Sequence, residues 1–256
     1  MILEEIKEDY IKELLKQKKR IDGRALDAYR EIKITKDFIQ NAEGSAIAEV
    51  GGTKVLAGVK FDIMTPFADR PDEGVVMFGS EFSPIAHPDF NAGPPDENSI
   101  ELARVVDRGI RSAESIDVKS LFLEEGKVLG VFVDLYILDH SGNLIDTAGL
   151  AAMSALKNTK IPKVEDGKII RNEFTGKLKL VREVAVTTFE KIDGVIIADA
   201  NSEEEVASEG RMSLSTSSDG FVCSAQKSGK AGFSKQELMD LIDLSSEKSK
   251  ELLRHI

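Results

Sequence analysis

The chain has 256 residues, with 34 Lys+Arg against 45 Asp+Glu, a formal net charge of −11 and 41% hydrophobic residues. That length and apolar content support a substantial core and argue against wholesale disorder, and no run of about 18 uncharged apolar residues suggests a helical membrane span. The acidic total disfavours nucleic-acid binding spread over the whole surface, so any phosphate contact must be local and concentrated.

The N-terminal MILEEIKEDYIKELLKQKKR carries acidic residues early and no apolar core with a small-residue cleavage site, so it is not expected to act as a secretory signal. Residues 2–19 instead place Ile2, Leu3, Ile6, Tyr10, Ile11, Leu14 and Leu15 on a helical stripe, ended by a turn at RIDGR (20–24). Strand-like runs follow at 30–39, 44–52 and 53–63, with Gly51-Gly52 as a tight hairpin turn between the last two. Residues 73–85 read as another strand, and Gly93-Pro94-Pro95 makes 90–99 a loop. Asn98, with Glu101 three residues on, predicts a capping box. A helix is then expected to reach about Ile116, with Ile100, Ala103, Val106 and Ile110 on its buried face.

KVLGVFVDLYILD (127–139) is a long, β-prone, apolar run suited to a central strand. SGN (141–143) turns the chain, and LIDTAGLAAMSALKN (144–158) predicts a buried helix rich in small residues. Hairpins are predicted at Asp166-Gly167, Asp193-Gly194 and Asp219-Gly220. Ser234 and Glu237 cap a final amphipathic helix over 234–256. Many antiparallel strands, few helices and no regular βα alternation predict an α+β fold of mixed and antiparallel sheets packed with helices.

Cys223 is the sole cysteine, so no internal disulfide is possible, and a reducing cytoplasm is the expected compartment. His87, His140 and His255 are too scattered to form a zinc-type cluster, and no metal or cofactor is expected. QKSGKAGFS (226–234) lacks the Gly-x4-Gly-Lys-Ser/Thr pattern, because Ala231 follows Lys230, and reads as an ordinary loop. His140 reads as a turn residue, since no Ser or Cys in a nucleophile elbow accompanies it. Glu203, Glu204, Glu205 and Glu209 either form an exposed acidic loop or supply carboxylates for Mg²⁺ or acid–base chemistry; the stretch alone leaves both open.

ELARVVDRGIRSAE (101–114) places Arg104, Arg108 and Arg111 at i, i+4 and i+7, within roughly 60° of one another on a helix. The three span about 10 Å, comparable to two or three phosphates along one strand, which makes them candidate RNA-binding residues. The competing reading is a solvated face on which Glu101 and Asp107 form ion pairs worth about 0–1 kcal/mol each.

RIDGR with DAYR, VGGTKVLAGVK, AGPPDENSIELARVVDRGIR and DLYILDHSGNLIDTAGLAAMSALKNTKIP together resemble the RNase PH family, most closely the non-catalytic RNase PH-like subunits of archaeal exosomes. The resemblance runs from Arg20 to the C-terminal helix. It implies a single RNase PH-like unit over 1–256: an N-terminal helix (1–20), an N-terminal core (21–160) and a C-terminal part of the same fold (181–256). It also implies partners: a catalytic RNase PH-like subunit in an alternating hexameric ring (a trimer of heterodimers), RNA-binding cap proteins and single-stranded RNA. In such rings RNA is degraded from its 3′ end by phosphate attack.

The family's chemistry needs donors that hold phosphate in line with the last phosphodiester, and acids that protonate the leaving oxygen or hold Mg²⁺. Active members carry a pattern like GGTRT before a helix. In NLIDT (143–147) the arginine's place is taken by Asp146, whose carboxylate repels phosphate. Active members also carry two aspartates six residues apart; in EEEVASEGRM, Glu205 takes the first place and Arg211 the second. The resemblance therefore implies a non-catalytic subunit with no catalytic residues of its own, contacting RNA through Arg104, Arg108 and Arg111. Two alternatives stay open: an active phosphorolytic 3′→5′ exoribonuclease built on Glu205, and a purely structural ring member whose arginines are all occupied by carboxylates.

Overall fold

The computed structural model describes residues 2–256. Helix α1 (Ile2–Lys16) buries Ile11 and Leu15 against the second half of the chain, while Ile6 and Tyr10 stay exposed; the side chains of Ile2 and Leu3 lie outside the described residues. The turn after α1 delivers Arg20 to the interior, where its guanidinium meets Glu204 (2.9 Å from Nε) and the carbonyls of Ala198 and Asp199 (2.8 Å each).

Strands β1 (Ile32–Lys36), β2 (Gly44–Val50), β3 (Thr53–Met64), β4 (Val75–Phe82), β5 (Phe122–Glu124) and β6 (Lys127–Asp139) form one sheet, ordered β1-β2-β3-β6-β4 with β5 beside β6. Every pairing is antiparallel except β4 with β6, which joins the first half into a mixed sheet. The Gly51-Gly52 turn links β2 to β3 as expected, with Gly51 at φ 55, where a β-carbon is disfavoured. β6 is central and apolar, so Val128, Val131, Val133, Leu135 and Ile137 are wholly buried.

Helix α2 (Glu97–Ser112) follows β4 in sequence, and helix α3 (Leu144–Asn158) follows β6. β7 (Lys160–Glu165) and β8 (Lys168–Lys177) form a separate hairpin. β9 (Val184–Ile192), β10 (Val195–Ala198), β11 (Gly210–Ser217) and β12 (Val222–Gly229) make a second, antiparallel sheet ordered β10-β9-β11-β12. The turns fall at the predicted Asp-Gly pairs, with φ positive at Asp166, Asp193 and Gly220.

Residues 145–156 of α3 are buried without a break, because the helix lies between the two sheets, on β2 and β3 at one side and β9 at the other. Small residues allow that: Gly149 sits where a β-carbon would meet Val186 at 3.0 Å. Helix α5 (Lys235–Leu253) closes the outer face of the second sheet behind a capping box of Ser234 and Glu237. The α+β expectation holds, with two sheets, a buried helix layer and an outer helix.

Three local expectations are corrected. Asp96, not Asn98, caps α2, its carboxylate accepting from Ser99 N at 2.8 Å. The helix ends at Ser112 rather than near Ile116, because the chain reverses at Glu114 with φ 51. Ile100 is 48% exposed; Ala103, Val106 and Ile110 are buried as expected, and Leu102 and Val105 complete the face. The acidic stretch, for which the sequence left both readings open, includes a short helix, α4 (Ser202–Val206), in which Glu204 is fully buried against Arg20.

Candidate nucleic-acid interface

Helix α2 is amphipathic, and its apolar face packs on β4, α3 and the second sheet. Its polar face carries Arg104, Arg108 and Arg111, all exposed. The helix sits close enough to the second sheet that a β-carbon on Gly109 would lie 2.4 Å from Ser215 Oγ. That approach lets Arg108 reach across to β12, where its Nη1 donates to Gln226 Oε1 at 3.2 Å.

The three arginines differ in their partners. Arg111 pairs with Asp107, one turn earlier, at 2.7 Å, and also donates to the Val76 carbonyl at 2.8 Å. Among the described residues no carboxylate lies within 4 Å of the Arg104 or Arg108 guanidinium, so the Glu101–Arg104 pair expected of a merely solvated face is absent. Arg104 opens onto a cleft of about 800 Å³ shared with Phe78, Tyr136 and the Gly93–Pro95 loop.

Beyond the N-terminal half of α2 lies a smaller cavity of about 170 Å³, lined by Asn98, Glu101, His140, Asn143, Glu205 and Arg211 among others. It brings together Glu205 and Arg211, two of the three positions singled out by sequence, beside the start of α3. Arg211 is consumed by carboxylates: Nη2 donates to Glu205 Oε1 at 3.0 Å and Nε donates to Glu190. Burial raises both acids despite that cation, Glu205 up to about 7. His140 stacks on Phe90 and touches His87 edge-on; burial lowers its pKa to about 4, so it is neutral at physiological pH.

Asp146, the third position, points away from solvent. Its Oδ2 accepts from Tyr29 Oη (2.6 Å), Asn143 Nδ2 (3.0 Å) and Thr188 N (3.0 Å), while Oδ1 has no partner. Burial pushes the carboxyl up to about 6, against the opposing pull of those donors. The nearby Arg24 and Arg30 are held by Asp199 at 2.8 and 2.7 Å. Among the described residues, then, the cavity holds no unpaired cation for a phosphate.

Sequence reasoning missed Gln226, Glu190, Tyr29, Thr188 and the Phe90–His87 pair. Gln226 is 118 residues from Arg108 and Tyr29 is 117 from Asp146, so no local spacing announces them. His140 does sit at a strand end, as expected, but it lines the cavity instead of serving only the turn.

The mixed sheet, the buried helix and the second antiparallel sheet define an exoribonuclease fold of the RNase PH type. Residues 28–162 match domain 1, and residues 183–248 domain 2, of the 3′ exoribonuclease family, RNase PH, and the chain belongs to that family. Among its relatives is the exosome complex component Rrp42 of Thermococcus gammatolerans, 44% identical over 98% of this chain and 94% of that one. The Rrp42 component of Methanothermobacter thermautotrophicus is 40% identical over 100% of this chain and 96% of its own. A chain in the structure of the Archaeoglobus fulgidus exosome with RNA bound to the active site superposes with a TM-score of 0.92 at 39% identity, covering 99% of both chains. Rice Rrp46, at 19% identity and a TM-score of 0.69, shares the fold alone.

Proposed function

We propose that this chain is a non-catalytic subunit of an archaeal-type exosome ring. It grips single-stranded RNA with Arg104, Arg108 and Arg111 and helps to shape the active site of a catalytic RNase PH-like neighbour. The relatives named as exosome components, and the RNA-bound exosome that this chain resembles, support membership of such an assembly. The observation that carries the division of labour is one of charge. Arg104 and Arg108 are exposed without carboxylate partners, whereas Arg211 is neutralised by Glu205 and Glu190 and Asp146 stands in the place of the phosphate-binding arginine. A phosphate in the small cavity would meet Glu101, Glu205 and a neutral His140, with Arg211 already paired. The purely structural alternative requires all three arginines to be occupied, and only Arg111 is. RNA-binding cap proteins would be bound by the ring as a whole.

Arg108→Glu with Arg111→Glu tests the reading. The ring should still assemble, because both side chains are exposed. RNA affinity should fall, and the slope of log K against log[salt] should flatten by about 1.4, the value for two lost contacts to a single strand. An unchanged slope would remove RNA from their role.

A further inference from the structure

The seam between α2 and β12 runs beside the arginine row, and its β12 side is neutral and polar. The antiparallel pairing of β11 with β12 sets Ser224 opposite Ser215, Gln226 opposite Ser213 and Ser228 opposite Arg211. Alternation along the strand puts Ser224, Gln226 and Ser228 on one face. Two contacts identify that face as the one turned to α2: Gly109 lies against Ser215 and Ser224, and Arg108 bonds Gln226. Ser228 in turn pairs with Arg211, which lines the small cavity. The β12 side of the seam thus offers Arg108 a side-chain amide with a hydroxyl two residues to either side of it.

The Gln226 carboxamide is oriented by chemistry. A guanidinium has only donors, so it must meet the amide oxygen, which leaves Nε2 as a donor with no acceptor among the described residues. In a ribonucleotide the 2′-hydroxyl lies beside the 3′-phosphate. A phosphate held by Arg108 therefore brings that hydroxyl within reach of the amide locked to the same arginine. The hydroxyl is the group by which a protein separates RNA from DNA.

We infer that Gln226 is a sugar-specificity residue: its amide N–H donates to the 2′-hydroxyl of the nucleotide whose phosphate Arg108 holds, making this seam selective for RNA over DNA. The inference rests on the RNA-binding reading above and adds the chemical class that the seam selects.

The test uses the ring reconstituted with its catalytic neighbour, and RNA and DNA oligomers of identical sequence at fixed salt. Gln226→Met keeps the side chain's length and removes the donor. It should weaken RNA binding about fivefold, the worth of one neutral hydrogen bond, and leave DNA binding unchanged. Equal weakening of both strands would overturn the inference, because Gln226 would then only steady Arg108; no change in either would overturn it too. With the wild-type ring, a scan of single 2′-deoxy substitutions through the RNA should find one sensitive position that becomes insensitive in the Gln226→Met ring. A uniform scan contradicts the proposal even where the variant fails to assemble. Arg108→Ala separates the two readings: it should flatten the salt slope for RNA and DNA alike, and if it does not, the RNA-binding reading itself fails.

Discussion

On the proposed reading, Asp146 closes a catalytic position while remaining part of the core. Its carboxyl titrates near 4 in an unfolded chain and is pushed up to about 6 by burial in the folded one. The folded state therefore binds more protons between about pH 4 and 6, so stability falls as pH rises through that window. The deficit, at most about 3 kcal/mol, persists above it. Asp146→Asn keeps an acceptor for Tyr29, Asn143 and Thr188 and removes the charge. Denaturant unfolding at pH 4 and pH 8 should show the variant gaining on wild type at the higher pH; parallel stabilities at the two pH values would contradict an ionisation cost. Arg211 is equally entrenched. Arg211→Asp, the residue type that active members carry there, would add a third carboxylate beside Glu190 and Glu205. It should lower stability by about 3–5 kcal/mol and yield no cleavage. A stable variant that releases nucleoside diphosphates would show that the lost chemistry is one substitution away.

Among the elements, α2 carries both the packing and the proposed RNA contacts, and Gly109 is where the two meet. On an isolated helix Gly→Ala adds about 1 kcal/mol of stability. Here the new β-carbon would meet Ser215 Oγ at 2.4 Å and its Cβ at 2.9 Å, on a residue that is 1% exposed and cannot swing aside. Gly109→Ala should therefore lower the melting temperature, by an overpacking cost of about 1–3 kcal/mol, and disturb the Arg108–Gln226 contact. A rise in melting temperature would mean that the helix can lift from the sheet without loss. Periodicity and turn chemistry made most elements legible. The Asp-Gly turns, the central run at 127–139 and the Ser234 box all fell where short-range signals put them. The start of α2 was misread because both Asp96 and Asn98 suit a cap, and only the Ser99 hydrogen bond distinguishes them. Ile100 was misassigned because the buried arc of the helix is centred on Val106, and Ile100 lies at its margin. The arginine row was visible as spacing, but Gln226 beside Arg108 was not, because its proximity is created by the sheet.

For the whole molecule, a chain of net charge −11 leaves two cations without carboxylate partners on one helix, among the described residues, while its interior cations meet interior acids; on the proposed reading those two receive an anionic strand. Arg20 and Glu204 illustrate the interior half. Arg20→Met would strand a buried carboxylate at 0% exposure and should cost about 3–5 kcal/mol, read by thermal unfolding; a loss under about 1 kcal/mol would mean that α4 rearranges to hydrate Glu204. On the proposed reading this surface grips RNA without a cutting site of its own, and activity comes from a neighbouring subunit. The most direct measurement is nucleoside diphosphate release from single-stranded RNA in phosphate buffer, by this chain alone and after assembly with the catalytic RNase PH-like subunit. None should appear from the chain alone, and release should appear on assembly and weaken with Arg108→Glu and Arg111→Glu. Phosphate-dependent release by the isolated chain would contradict the division between gripping and cutting.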